Sequence, residues 1–339
     1  MPSSLAQEIA RERRPARGEA VSPDWYVNAW SEAESLGTER VSAFVLILRT
    51  RGCYWADLKG CSMCGYAKDT LGRSATPEEL SRQLERALRK YRGEPYVKVY
   101  TSGSYLDERE VDADSRGRIA AAFSGRARRF LVETLPEFVT EERVRSLRES
   151  FAGELEVAQG LESTQPEILD RFVNKVSTPA EYLAAADRLR SWGAHPKGYL
   201  LLKPPYLTEG EAIDDTVTSV ERASPHFETL SVNPVHIQNG TVVERLFRSG
   251  RYRPPWLWSV REVLQRGAAV RGSSRLVSFP TAGGLTRGPH NCGECDRRLL
   301  RWIEEGSLDQ RFDAALEPDC ACRETWSRQR ELEPLGGEA

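Results

Sequence analysis

The stretch Arg49-Thr50-Arg51-Gly52-Cys53-Tyr54-Trp55-Ala56-Asp57-Leu58-Lys59-Gly60-Cys61-Ser62-Met63-Cys64-Gly65-Tyr66 follows directly on an apolar run, Val41–Leu48. That run reads as the first strand of a series in which strands alternate with helices. A loop leaving the carboxyl end of such a strand lies at the sheet edge where chemistry is carried. Its three thiols, spaced C-x7-C-x2-C, make an incomplete tetrahedron. They suit an iron–sulfur cubane with one iron left open, or a zinc ion completed by a distant ligand.

Working outward, five more short runs rich in Val, Leu, Tyr and Phe read as strands: Tyr96–Tyr100, Arg129–Glu133, Leu155–Gln159, Lys197–Leu202 and Thr229–Val232. Between them lie helical patterns at Pro77–Tyr91, Glu141–Phe151, Pro166–Phe172, Pro179–Trp192 and Glu209–Arg222. In the first, Leu80, Leu84, Ala87, Leu88 and Tyr91 recur at helical spacing. Thr178 before Pro179 reads as an N-cap followed by Pro in the first turn. Six strand-then-helix units predict an α/β fold with a parallel sheet, doubly wound or curled into a partial barrel. Residues 1–40 read as a polar, helical N-terminal extension, 41–240 as the α/β unit, and 241–339 as a C-terminal module with Arg-rich helices and a strand at 275–279.

The 339 residues carry a formal net charge of −2, with 40% hydrophobic and 29% charged residues. This composition fits a folded soluble protein and excludes collagen-like and wholly disordered classes. The longest apolar stretch is far shorter than the ~20 residues of a membrane span. The N-terminus lacks the apolar core of a secretory signal, so the expected location is cytoplasmic, with no membrane partner. Only seven of the 48 basic residues are Lys, and all seven Cys fall in two groups, Cys53/Cys61/Cys64 and Cys292/Cys295/Cys320/Cys322. A reducing compartment disfavours disulfides and points both groups to metal or redox chemistry.

Three cysteines after the first strand resemble the radical S-adenosylmethionine (SAM) superfamily, although its commonest spacing is C-x3-C-x2-C. More specifically, Arg49–Trp55, Gly60–Tyr66, Tyr100-Thr101-Ser102-Gly103-Ser104, Asn233-Pro234-Val235-His236, Tyr252–Val260 and Gly288–Cys295 are similar to the family of radical SAM subunits of archaeosine synthase, over about residues 25–326. The resemblance implies a partial (β/α)6 barrel in which Cys53, Cys61 and Cys64 hold a [4Fe-4S] cluster with one open iron. It implies SAM contacts from Met63, before the third Cys, from the small-residue turn Thr101, Ser102, Gly103 and Ser104, and from the strand-end residues Glu133, Gln159, Glu162 and Lys203. The activity it implies is a radical lyase that splits a C–N bond in the lysine side chain of lysine-modified preQ0 at tRNA position 15, leaving archaeosine. The partners it implies are tRNA and the lysine-transferase subunit. No acid–base residue is assigned.

The C-terminal quartet, Cys292-x2-Cys295 and Cys320-x-Cys322, matches the closed four-thiolate site of structural zinc; an auxiliary iron–sulfur cluster and free thiols stay open. Residues 245–275 hold eight Arg against one acid, Glu262, with aromatic residues interleaved. Arg245, Arg248, Arg251, Arg253, Trp256 and Arg261 are therefore candidates for phosphate contacts and base stacking on RNA, against a solvated face with a buried Trp pair. Two further classes of function stay open: another radical SAM enzyme, acting on tRNA or on a small molecule, and a zinc-bearing RNA-binding scaffold without redox chemistry.

Overall fold

Runs of residues buried on both faces form the inner strands of one continuous eight-stranded sheet. A computed structural model describes residues 4–13, 21–313 and 319–332. The strands are β1 Asn28–Leu36, β2 Glu39–Ile47, β3 Tyr96–Tyr100, β4 Arg129–Glu133, β5 Glu154–Glu162, β6 His195–Leu202, β7 Thr229–Pro234 and β8 Arg275–Val277. They lie side by side in chain order. β1 pairs antiparallel with β2 through a hairpin, and every later pair is parallel. Helices Pro77–Leu88, Ala113–Phe123, Glu141–Ser150, Pro179–Ser191, Glu209–Ala223 and Leu257–Val270 form the crossovers. The sheet is thus an open, curled α/β barrel, as the strand–helix alternation predicts.

Five of those helices start on a threonine or aspartate cap, Thr140 accepting from the Arg143 N–H. Thr76, Thr178 and Thr208 each close a capping box with a glutamate three residues on, and Asp112 accepts from Ser115. Val97, Val99, Phe130, Val132, Leu155 and Val157 point outward into the core beneath the helices. The alternate residues of the same strands point into the lumen. There the layer is ionic: Lys98 Nζ lies 2.7 Å from Glu32 and 2.6 Å from Glu34, Tyr96 donates to Glu156, and Arg129 bridges to Glu154. Tyr100 and Tyr199 meet above it, hydroxyl to hydroxyl at 3.3 Å.

Two elements differ from the sequence reading. The polar stretch 28–36 is a strand, because β2 supplies its ladder and Lys98 neutralises its two lumenal glutamates; among the described residues of the N-terminal extension, Leu5–Glu12 is helical. Ala113–Phe123, rich in Ala and Arg and interrupted by Gly117, is a helix that periodicity did not reveal. β8 extends the sheet beyond residue 240. Arg275 donates from it to Ser35 and to the Gly37 carbonyl of the β1–β2 hairpin, drawing the two open edges together. No helix among the described residues is long and apolar enough to cross a membrane.

Candidate functional site

Cys53 caps a short helix, Tyr54–Leu58, at the carboxyl end of β2. The loop is held from three sides. Trp55 donates to the Asn174 carbonyl at 2.8 Å, Asn174 donates back to the Gly60 carbonyl at 2.6 Å, and Ser62 donates to Phe172 and Val173. Gly65 N–H reaches Gln238 at 2.6 Å. Burial pushes the Cys53 thiol up to about 11, and Cys61 and Cys64 upward as well; Cys53 and Cys61 also feel the charge of Cys64, and Cys64 that of Glu162 and Glu133. Lys175 opposes that rise at Cys61 and Cys64. Among the described residues, the one group of ligand-type side chains whose donor atoms all lie within 4.8 Å is the C-terminal quartet. The three loop thiols are therefore spread wider than the coordination sphere of a single ion, and this donor set fits a multinuclear group better than zinc.

The turn Thr101–Ser104 lies against this loop. A Cβ on Gly103 would stand 2.6 Å from Cys53 Cα and 2.7 Å from its nitrogen, so only glycine allows the two backbones to approach. Met63 packs against the apolar group that includes Ile168, Val173, Val235 and Ile237. Glu133 ends β4 at the mouth of the lumen, where burial, then the charges of Glu110 and Glu162, push its carboxyl up to about 8, against the pull of Lys175. Glu162, at the end of β5 with φ +63°, pairs with Lys175 at 2.8 Å. That pair lies over Gly160, whose added Cβ would fall 2.7 and 2.9 Å from it.

Two strand-end residues stand elsewhere. Gln159 shares the outward face of β5 with Leu155 and Val157, fully buried beneath the helices with neither amide atom partnered. An odd–even step from Glu156 and Ala158 turns it away from the lumen. The Lys203 ammonium is buried 2.5 Å from Glu209, whose carboxylate also accepts from Trp256 N–H and the Ser259 hydroxyl. It joins β6 to the Leu257–Val270 helix. Lys175 and Glu110, both central to the mouth, belong to no motif read from sequence. Lysine rarity was a signal for the first: four of the seven, Lys98, Lys175, Lys197 and Lys203, sit in the buried polar interior.

The second cysteine group closes on itself. Sγ separations are 3.9 Å for Cys292–Cys295, 3.6 Å for Cys292–Cys320 and 3.7 Å for Cys295–Cys322. A tetrahedron with metal–sulfur bonds of about 2.3 Å has edges of about 3.8 Å. Trp258 Nε1 and Asn291 Nδ2 each donate to a sulfur at 3.2 Å. Burial raises the Cys292 thiol, but backbone N–H groups of Cys295 and Glu294 and the neighbouring thiols outweigh it, bringing it down to about 7.

The Arg-rich segment is mostly built into the fold. Arg245 pairs with Glu8 and Glu12, and Arg248 with Glu244. Arg253 stacks 3.8 Å over Trp256 and donates to the Pro254 and His290 carbonyls. Trp256 and Arg261 are each 7% exposed, because the segment packs under the quartet and leaves no free indole face. Arg251 is exposed, and its guanidinium meets no described partner.

No family model matches the chain. It is 36% identical over 310 residues to archaeosine synthase subunit beta of Methanosarcina acetivorans, covering 90% of each chain. It is 34% identical over 307 residues to archaeosine synthase subunit beta of Thermococcus kodakarensis, covering 88% of this chain and 94% of that one. Among solved structures, it is similar to a queuine lyase from Clostridium spiroforme bound to SAM and queuine, at TM-score 0.47 and 20% identity over 66% of this chain and 88% of that one. The cysteine loop, the glycine turn and the thiol quartet lie within a chain that belongs to the archaeosine synthase subunit beta family.

Proposed function

We propose that the chain is a radical SAM lyase of tRNA modification, splitting a C–N bond in the lysine side chain of lysine-modified preQ0 at tRNA position 15 so that the formamidine of archaeosine remains. The observation that carries this reading is the placement of Cys53, Cys61 and Cys64 on one pinned loop at the carboxyl edge of the barrel. The thiols there are spread for a multinuclear group, and the glycine turn presses against the loop. Cys53, Cys61 and Cys64 would hold a [4Fe-4S] cluster with one open iron. A cluster of this kind with SAM supplies, on reduction, a carbon radical able to remove hydrogen from an unactivated chain.

The protein's own residues do the rest. Backbone groups of Thr101–Ser104 would receive the SAM amino group, Met63 would pack on its adenine, and Glu133 and Glu162 would face its polar end and the lysyl substituent. The tyrosine and ion-pair layers close the lumen below and exclude water. The Cys292/Cys295/Cys320/Cys322 site would hold zinc, stapling helix Cys322–Leu332 to the barrel. The partner named by the relatives' subunit designation would be the lysine transferase, and both would meet tRNA in the cytoplasm. Arg251, with Arg248 beside it, would contact RNA phosphate.

Anaerobic incubation with lysine-modified tRNA, SAM and dithionite, followed by mass analysis of the base, tests the reading. Archaeosine is the expected product. A colourless protein that binds zinc alone and leaves SAM intact would overturn it in favour of an RNA-binding scaffold. SAM cleavage with an unchanged base would place the chemistry on another substrate.

A further inference from the structure

Glu110 carries no motif and lies 57 positions beyond Cys53 in sequence, yet it is 2% exposed and sits behind the cysteine loop. A helical turn sets it there, with Glu110 N–H on the Asp107 carbonyl at 2.9 Å. One carboxylate oxygen accepts the Ser104 N–H at 2.5 Å. The other accepts the Thr50 hydroxyl at 2.7 Å, and Thr50 Oγ1 in turn accepts the Gly52 N–H at 3.3 Å. Between these bonds lies Gly103, where an added Cβ would come 2.1 Å from Glu110 Oε1.

A buried carboxylate is costly unless its oxygens are satisfied, and here each oxygen is satisfied by a different segment. Thr50 belongs to the strand exit that becomes the cysteine loop; Ser104 belongs to the turn after β3. The two backbones touch at Cys53 and Gly103, and one side chain spans the contact. We propose that Glu110 is the positioning residue that fixes the cysteine loop against the glycine turn, so that a group held by the thiols and a ligand held by the turn's backbone meet at one distance. The proposal rests on the reading above of Cys53 as a cluster ligand and of Thr101–Ser104 as the SAM receiver.

The test uses the full chain, reconstituted anaerobically, as wild type, Glu110→Ala, Glu110→Gln and Thr50→Val. Four quantities are measured: iron per chain, melting temperature, SAM dissociation constant, and the change SAM produces in the electron paramagnetic resonance of the reduced cluster. Glu110→Ala raises the SAM dissociation constant ~10-fold or more and abolishes the spectral change, with iron retained. Glu110→Gln, which still accepts from Ser104 and can donate to Thr50, stays within about 3-fold of wild type. Thr50→Val, near-isosteric, raises the constant about 3- to 5-fold. Wild-type SAM affinity and spectral change in Thr50→Val overturn the proposal, whether Glu110→Ala folds or not; so does an unchanged affinity in a folded Glu110→Ala. A wild-type protein that takes up no iron or binds no SAM defeats the functional reading instead, and is seen before any variant is compared.

Discussion

Arg245 and Glu8, 237 residues apart in sequence, form an ion pair that ties the N-terminal helix Leu5–Glu12 to the barrel mouth. Glu12 adds a second contact at 3.1 Å, and Tyr206 donates its hydroxyl to the same Glu8. Ile9 beneath them packs into the apolar group that also receives Met63 and Cys61. An arginine whose surroundings in sequence suggest RNA is therefore an anchor for the chain's own first helix.

Arg245→Ala should accelerate amide exchange across residues 5–12 while lowering global stability by less than about 1 kcal/mol, as partly exposed pairs do. It should leave tRNA affinity unchanged. Arg251→Ala should weaken tRNA binding and reduce the slope of log affinity against log salt by about 1. Filter-binding titrations across a salt series separate the two, and equal effects would contradict the assignment.

Lys98→Met leaves Glu34 buried without the ammonium that hydrogen-bonds it, only the longer-range charges of Lys197 and Arg275 remaining. Because the pair is buried and the acid cannot reach water, the loss should be about 3–5 kcal/mol in denaturant unfolding. The double variant Lys98→Met/Glu34→Leu should recover part of it, since it removes the buried acid together with its cation while Lys197, which also feels Glu34, and Glu32, which also bonds Lys98, lose a partner. A single variant as stable as wild type would show that the lumen floor is hydrated.

Gly103→Ala sets a methyl group into Cys53 and Glu110. Neither the backbone nor the doubly bonded carboxylate can retreat freely, so the loop and turn must separate. SAM binding should fall ~100-fold or more while the C-terminal metal stays in place. Calorimetric titration of SAM gives the first number and metal analysis the second; intact SAM affinity would remove the turn from the site.

Glu133 makes stability depend on pH in a known direction. Its folded value, about 8, lies above its ordinary value of 4.5, so between those values the folded state holds more protons than the unfolded one. Stability from this group is complete below about 4.5 and is lost as pH rises toward 8, by at most about 1.4 kcal/mol per pH unit. Glu110 and Glu162 on one side, Lys175 on the other, and the Tyr100 and Tyr199 hydroxyls nearby face the same space. Glu133→Gln should flatten melting temperature between pH 5 and 8 in the metal-free protein. A slope equal to wild type would place the proton elsewhere.

Cys295→Ser opens the quartet at its buried corner. Zinc should fall from about one per chain to none, with about four irons retained and the melting temperature lowered by several degrees. About eight irons per wild-type chain, without zinc, would assign a second cluster to the quartet.

Strand positions were legible because the buried strands are continuous apolar runs bounded by Gly, Pro and polar residues. Tyr96–Tyr100 and Arg129–Glu133 fall at the observed limits. β1 was not legible, since Asn28–Leu36 has no apolar alternation and is a strand only through its partner β2. Gln159 shows the limit for the site. Sequence places it at a strand end, but a one-residue step decides which face it occupies, and the observed step turns it toward the helices. Lys203 and the basic segment show another: an arginine or lysine reads the same in sequence whether solvent or a distant carboxylate such as Glu209 or Glu8 receives it.

By itself the sequence determined the alternating α/β plan, the division of seven thiols into three and four, and the likeness to a family. Local spacing and side-chain chemistry carry all of these. Only the tertiary structure decided that the quartet closes to the edges of a single-ion tetrahedron while the three loop thiols stay wider apart. It alone assigned Glu110, Lys175 and the Arg245 anchor, because each acts on a residue many positions away and its role is set by burial and by the partner the fold delivers.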